Sequence, residues 1–138
     1  MELPYPDWLI REAKSYWERA DIEVVAANSI LDALGASDAY AIDSRQLEQY
    51  LSSLTLHAGA PVLLSGTGMR TTGALEDLVD RLQTPLLSSN LAAAHWLLKH
   101  CDYDQCNGSV LFKKLIEKLQ KFSTASDWNQ VDAFFNPY

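Results

Sequence analysis

A chain of 138 residues, 48% hydrophobic and 21% charged, fits one globular domain that buries roughly two thirds of its unfolded surface. It holds no run approaching about 18 apolar residues, and its net charge of −7 sets it against general nucleic-acid or anionic-membrane binding, which need clustered Lys and Arg. The opening Met1-Glu-Leu-Pro-Tyr-Pro-Asp-Trp8 has neither the basic region nor the apolar core of a signal peptide, so the expectation is a cytoplasmic protein.

From Pro6 onward, Leu9, Ile10, Ala13, Trp17 and Ala20 recur at helical spacing, with Pro6 and Asp7 suited to a first turn and Asp21 at the end. Ile22-Glu-Val-Val-Ala-Ala27 is rich in β-branched residues and predicts the first strand. Ile30, Leu31 and Leu34 predict a short helical turn stopped by Gly35. Asp43-Ser-Arg-Gln46 has the form of a capping box, in which Asp43 accepts from the N–H three residues on and Gln46 reaches back. It predicts a helix to about His57 that buries Leu47, Tyr50, Leu51 and Leu54, with Gly59 and Pro61 as stop and turn.

Pro61 to Ser65 predicts the second strand, and Thr71 or Thr72 the cap of a helix carrying Leu75, Leu78, Val79 and Leu82. Pro85 to Ser88 predicts the third, followed by a helix capped by Ser89 or Asn90 and ending near His100. An Asn107-Gly108 turn leads to an amphipathic helix from about Ser109 to Phe122, and 123–138 reads as an irregular tail with Trp128, Phe134, Phe135 and Tyr138. Lys113, Lys114, Lys118 and Lys121 make a solvated helix face. Strands alternating with helices at this spacing imply right-handed crossovers, hence an α/β fold with a mainly parallel sheet covered on both faces. No linker or repeat divides 1–138, so one domain is expected; a sheet this narrow has edges to cover, which points to a dimer.

Two stretches carry the candidate chemistry, Pro61-Val-Leu-Leu-Ser-Gly-Thr-Gly-Met-Arg-Thr-Thr-Gly73 and Pro85-Leu-Leu-Ser-Ser-Asn-Leu91. Each is an apolar run that closes in small polar residues and passes into a helix, as a buried parallel strand delivers a loop to a helix N-terminus. Ligands of open α/β sheets bind at that end of the strands. The glycines of Ser65 to Gly73 allow close backbone approach and an anion-binding nest of N–H groups. The loop lacks the Lys-Ser or Lys-Thr of a Walker A motif, and its spacing is not G-x-G-x-x-G, so a carboxylate fits better than a phosphate; a plain capped turn is the alternative. Arg70 could clamp a ligand carboxylate or pair with Glu76 or Asp77. His57, His95 and His100 read as packed or exposed helix residues. Cys101 and Cys106 read as unrelated reduced thiols; neither metal nor cofactor is expected.

Several segments together resemble the second half of the aspartate/glutamate racemase superfamily, in the branch of maleate cis-trans isomerase and arylmalonate decarboxylase. They are Pro4-Tyr5 before a helix with Tyr16-Trp17, Ile22-Glu-Val-Val25, Leu64-Ser-Gly-Thr-Gly-Met-Arg-Thr71, and Pro85-Leu-Leu-Ser-Ser-Asn-Leu-Ala-Ala-Ala-His-Trp96. The likeness runs from about Pro4 to His100, leaving 101–138 outside it. It implies a small flavodoxin-like lobe, a parallel sheet of three to four strands, corresponding to one half of a two-lobe fold that binds a carboxylate between its lobes. Tyr5 would then hydrogen-bond a substrate carboxylate, and Ser65, Gly66, Thr67, Gly68, Arg70, Thr71, Ser89 and Asn90 would line the site. Relatives use cysteines as acid and base, but the first lobe is missing here and Gly66 stands where the second cysteine is expected. The resemblance therefore implies a noncatalytic carboxylate-binding or assembly protein. Its alternatives are a homodimeric lyase or isomerase with Tyr5 as acid, and a subunit that pairs with a separate first lobe.

Overall fold

The computed structural model describes residues 1–57, 60–66 and 68–100 with Lys114 and Glu117; of His95 and 98–100 it describes the backbone only. Four short strands, β1 (Glu2–Leu3), β2 (Asn28–Ser29), β3 (Val62–Leu64) and β4 (Leu86–Ser88), form one parallel sheet in the order β2-β1-β3-β4. Between and after them run α1 (Asp7–Arg19), α2 (Ile30–Leu34), a 3-10 turn (Ala39–Ala41), α3 (Ser44–Ser53), α4 (Thr72–Leu78) and α5 (Ser89–His100). The α/β fold expected from the alternation is present, and the strand order is the flavodoxin-like one. The expected helix at 109–122 and the aromatic tail lie outside the described residues, apart from Lys114, which pairs with Asp80, and Glu117.

Two elements differ from expectation at the start of the chain. The run Ile22–Ala27 is not a strand; Val24 is buried, but the ladder is joined only from Asn28, whose N–H donates to the Met1 carbonyl at 2.9 Å. The strand that precedes α1 is Glu2–Leu3, too short to show alternation. Its existence depends on distant partners, with Glu2 opposite both Asn28 and Leu64. Pro4, which has no N–H to offer, follows it directly.

Local chemistry explains the helices. Both halves of the capping box form: Asp43 Oδ1 accepts from Gln46 N–H at 2.8 Å, and Gln46 Oε1 accepts from Asp43 N–H at 3.0 Å. Helix α3 ends at Ser53 rather than His57, because Leu54 turns to an extended conformation with ψ 137°. Gly35, with φ 61°, closes α2 in the left-handed region. Ser88 caps α5, accepting from Leu91 N–H at 3.2 Å, in place of the expected Ser89 or Asn90. Thr71 stands at the N-cap position of α4 but makes no side-chain cap bond.

The main core lies between the sheet and the helices α3 and α4. Ile30, Ile42, Leu47, Leu51, Leu64, Met69, Leu75, Leu78 and Leu86 are packed there. Strand alternation sends the Glu2 side chain toward α3 and the fully buried Leu3 to the opposite face, where α1 contributes Ile10. Glu2 is itself buried, and its carboxylate accepts from Asn28 Nδ2 at 2.9 Å and from the Tyr50 hydroxyl at 2.5 Å.

Burial, and then the bond to Glu2, raise the pKa of Tyr50 above the ordinary value of 10.0. The neutral phenol is the form favoured by folding, so its contribution is complete below pH 10.0 and is lost as the pH rises beyond that value. Tyr50→Phe should cost about 1 kcal/mol at neutral pH by removing a donor from Glu2. It should also make stability fall less steeply above pH 10; urea unfolding of both proteins from neutral to alkaline pH measures the two effects.

Candidate functional site

In the order β2-β1-β3-β4 the chain runs from β1 outward to β2 and then crosses back to β3. The reversal puts the switch point of the sheet at the carboxyl ends of β1 and β3, the place where open α/β sheets take their ligands. Tyr5 lies just beyond β1, and Ser65 and Gly66 just beyond β3. Ser29 ends β2 and Ser89 follows β4, so small hydroxyl residues stand at the same edge of each outer strand.

These residues are held against one another. The Ser29 hydroxyl donates to the Tyr5 carbonyl at 3.1 Å and accepts from Asp32 N–H at 3.2 Å, which fixes the backbone of Tyr5 to the start of α2. Because Ser88 takes the capping role in α5, Ser89 Oγ faces β3 and accepts from Gly66 N–H at 3.4 Å. That N–H, expected to be offered to an anion, is thus engaged, though by a long bond that a carboxylate oxygen would better.

Gly66 is the tightest point. Its φ of 109° is a backbone conformation that side chains rarely adopt, and a Cβ there would stand 2.8 Å from Pro4 Cγ and 3.1 Å from the Tyr5 hydroxyl oxygen. The place of a side chain at position 66 is filled by Pro4 and Tyr5. The other loop glycines likewise have protein atoms where a Cβ would stand. A Cβ at Gly68 would meet Ala39 Cβ at 3.1 Å, and one at Gly73 would meet Ser44 Oγ at 2.9 Å.

The rest of the loop alternates between anchoring and exposure. Met69 is in the core and Thr71 is buried, while Arg70 is exposed, and its carbonyl accepts from the Ser44 hydroxyl at 3.4 Å. Among the described residues Arg70 makes no ion pair with Glu76 or Asp77. Tyr40, missed from sequence, is an exposed ring beside Gly68, held by the Asp38 carboxylate that accepts from its N–H at 2.8 Å. The Ser37-Asp38 pair before it was the available signal, since such residues start turns.

Tyr5, Gly66 and Ser89 are therefore brought together, Arg70 and Asn90 lie exposed on the flanking loop and helix, and Thr67 lies outside the described residues. His57 is remote, at the opposite edge of the sheet, and Cys101 and Cys106 lie outside the described residues. The cluster can offer hydroxyl and backbone donors to a carboxylate; it contains no thiol. Among the described residues no three His, Cys, Asp or Glu side chains are placed to hold a metal ion, and no helix is long and apolar enough to cross a membrane.

Gly66→Cys should lower stability by about 2 kcal/mol or more, combining left-handed strain with overpacking against Pro4. Pro4→Ala should relieve part of that loss but not the backbone strain. A denaturation double-mutant cycle would then give a coupling of about 0.5 kcal/mol or more; additive effects would contradict the contact.

Compared with family models, with curated proteins and with solved structures, the chain finds no match.

Proposed function

We propose that this chain is a cytoplasmic relative of the aspartate/glutamate racemase superfamily, of its maleate isomerase and arylmalonate decarboxylase branch. It binds a small carboxylate at the carboxyl edge of its sheet, as a noncatalytic binding or assembly protein. The observation that supports this reading is the state of position 66. A thiol there would be the acid or base of the related enzymes, and here the residue is a glycine in a conformation suited to glycine, with Pro4 and Tyr5 closed over it. What remains is a set of neutral donors, the Tyr5 and Ser89 hydroxyls and the Gly66 N–H, with the exposed Arg70 farther along the loop that Gly66 begins. Such a set stabilises a carboxylate through hydrogen bonds to its charged form.

A second reading rests on the Tyr5 hydroxyl, which lies where a side chain at position 66 would project. In a homodimer a facing copy would close the site from the other side, and Tyr5 would donate the proton to the carbanion left when the substrate loses carbon dioxide. Sedimentation separates the two readings, since this one requires a dimer and turnover of a small dicarboxylic acid, and the first requires neither.

A thermal-shift screen of mono- and dicarboxylates tests the main proposal. A bound carboxylate at 100 times its dissociation constant adds about 2.7 kcal/mol of stability. Tyr5→Phe and Arg70→Ala should each reduce that shift while leaving the unliganded melting temperature nearly unchanged. A screen in which no carboxylate stabilises the protein would sink the proposal, and catalytic turnover by the purified chain would transfer the case to the second reading.

A further inference from the structure

Helix α1 packs one face on the rest of the protein and leaves the other uncovered. Ile10 is buried and Leu9, Ala13 and Trp17 are partly buried, whereas Trp8, Arg11, Glu12, Tyr16 and Arg19 are exposed. On a helix, positions 8, 12, 15 and 19 follow one another along one line, with 11 and 16 on either side of it. The uncovered residues therefore form a single stripe, Trp8, Arg11, Glu12, Ser15, Tyr16 and Arg19, in which only Ser15 is partly buried.

The make-up of the stripe is that of a contact surface. Trp8 and Tyr16 are each 60% exposed, and Trp, Tyr and Arg are the residues that anchor protein interfaces. Tyr16 is also held in position: its ring stands edge-on to Trp17, with centroids 5.3 Å apart and planes at 78°. A ring already fixed in this way has less freedom to lose on binding. Among the described residues Arg11, Glu12 and Arg19 enter no ion pair, so their charges are open to a partner.

The order of the stripe selects that partner. Two copies packed in parallel would bring Arg11 onto Arg11, Glu12 onto Glu12 and Arg19 onto Arg19, and like charges repel. Packed antiparallel, about a two-fold axis passing between Glu12 and Ser15, Trp8 meets the partner's Arg19, Arg11 meets the partner's Tyr16, and Glu12 meets the partner's Ser15. Each ring then receives a guanidinium, and symmetry makes every pair twice. We propose that the chain forms an isologous dimer through α1, with Trp8 and Tyr16 of each copy stacked on Arg19 and Arg11 of the other. An anionic membrane, which an aromatic and basic stripe could also meet, is disfavoured by the net charge of −7. One helix face from each copy buries about 1,000 Å² in all, the low end of specific interfaces, so the dimer is weak and depends on concentration.

Sedimentation velocity of the full chain over a concentration series tests the proposal; the dimer fraction should rise with concentration. Arg19→Ala should weaken the dimer about tenfold, because symmetry removes its contact twice. Trp8→Arg sets two guanidinium groups against each other at both ends of the pair and should leave a monomer over the same range. Adding Arg19→Trp to Trp8→Arg restores a ring facing a guanidinium at each end and should restore the dimer. Trp8 and Arg19 are exposed, so the melting temperature of the dilute variants should stay close to that of the unaltered chain, which separates lost association from lost folding. A monomer at every concentration, a dimer that withstands Trp8→Arg, or a double exchange that fails to restore the dimer would overturn the proposal. The α1 dimer rests on neither reading of the carboxyl edge. Trp8→Arg leaves Tyr5 in place, so a dimer built around Tyr5 would persist in that variant.

Discussion

Much of this structure depends on how closely β1 and β3 pass each other. Leu64 lies beside Glu2 in the ladder, and two residues farther on Gly66 meets Pro4 with no room for a Cβ. A proline at the end of β1 gives up a backbone donor where the ladder stops and presents a rigid ring instead. The backbone after β3 can approach that ring only as glycine, in a left-handed conformation. The same contact that closes the sheet thus determines what chemistry its edge can host. It sets the Tyr5 hydroxyl near Gly66 and excludes a nucleophile from that position.

The polarity of a parallel sheet carries this further. Helices α3, α4 and α5 begin at or near the carboxyl edge, where Asp43, Thr71 and Ser88 stand at their starts, and that edge is populated by donors and small hydroxyl residues. Helix N-termini favour negative charge there. The amino-terminal edge holds the reverse set, Glu2 and Glu23 among apolar residues.

How much of this was legible in the sequence follows from which forces act locally. The capping box at Asp43, the stop at Gly35, the α1 periodicity and the runs of β3 and β4 are each encoded within a few residues, and each is present in the structure. The first strand was not legible, because two residues cannot show alternation; Glu2–Leu3 is a strand only by virtue of partners at Asn28 and Leu64. The opposite error, taking Ile22–Ala27 for a strand, arose because β-branched residues mark half-buried extended chain whether or not it joins a ladder. At the candidate site, the meeting of Tyr5, Gly66 and Ser89 follows from strand order, which no local pattern carries. The reassignment of the α5 cap from Ser89 to Ser88 is a shift of one residue that pattern alone does not resolve.

That one-residue shift has a chemical consequence. A serine that caps a helix has its oxygen committed to a backbone N–H, which removes it from ligand binding. With Ser88 committed to Leu91, Ser89 turns its oxygen across the strand ends to Gly66. The bond is long, and its donor is an N–H that the sheet no longer uses. The paired serines thus divide labour: the first holds the helix in place, and the second sets its oxygen against the Gly66 N–H.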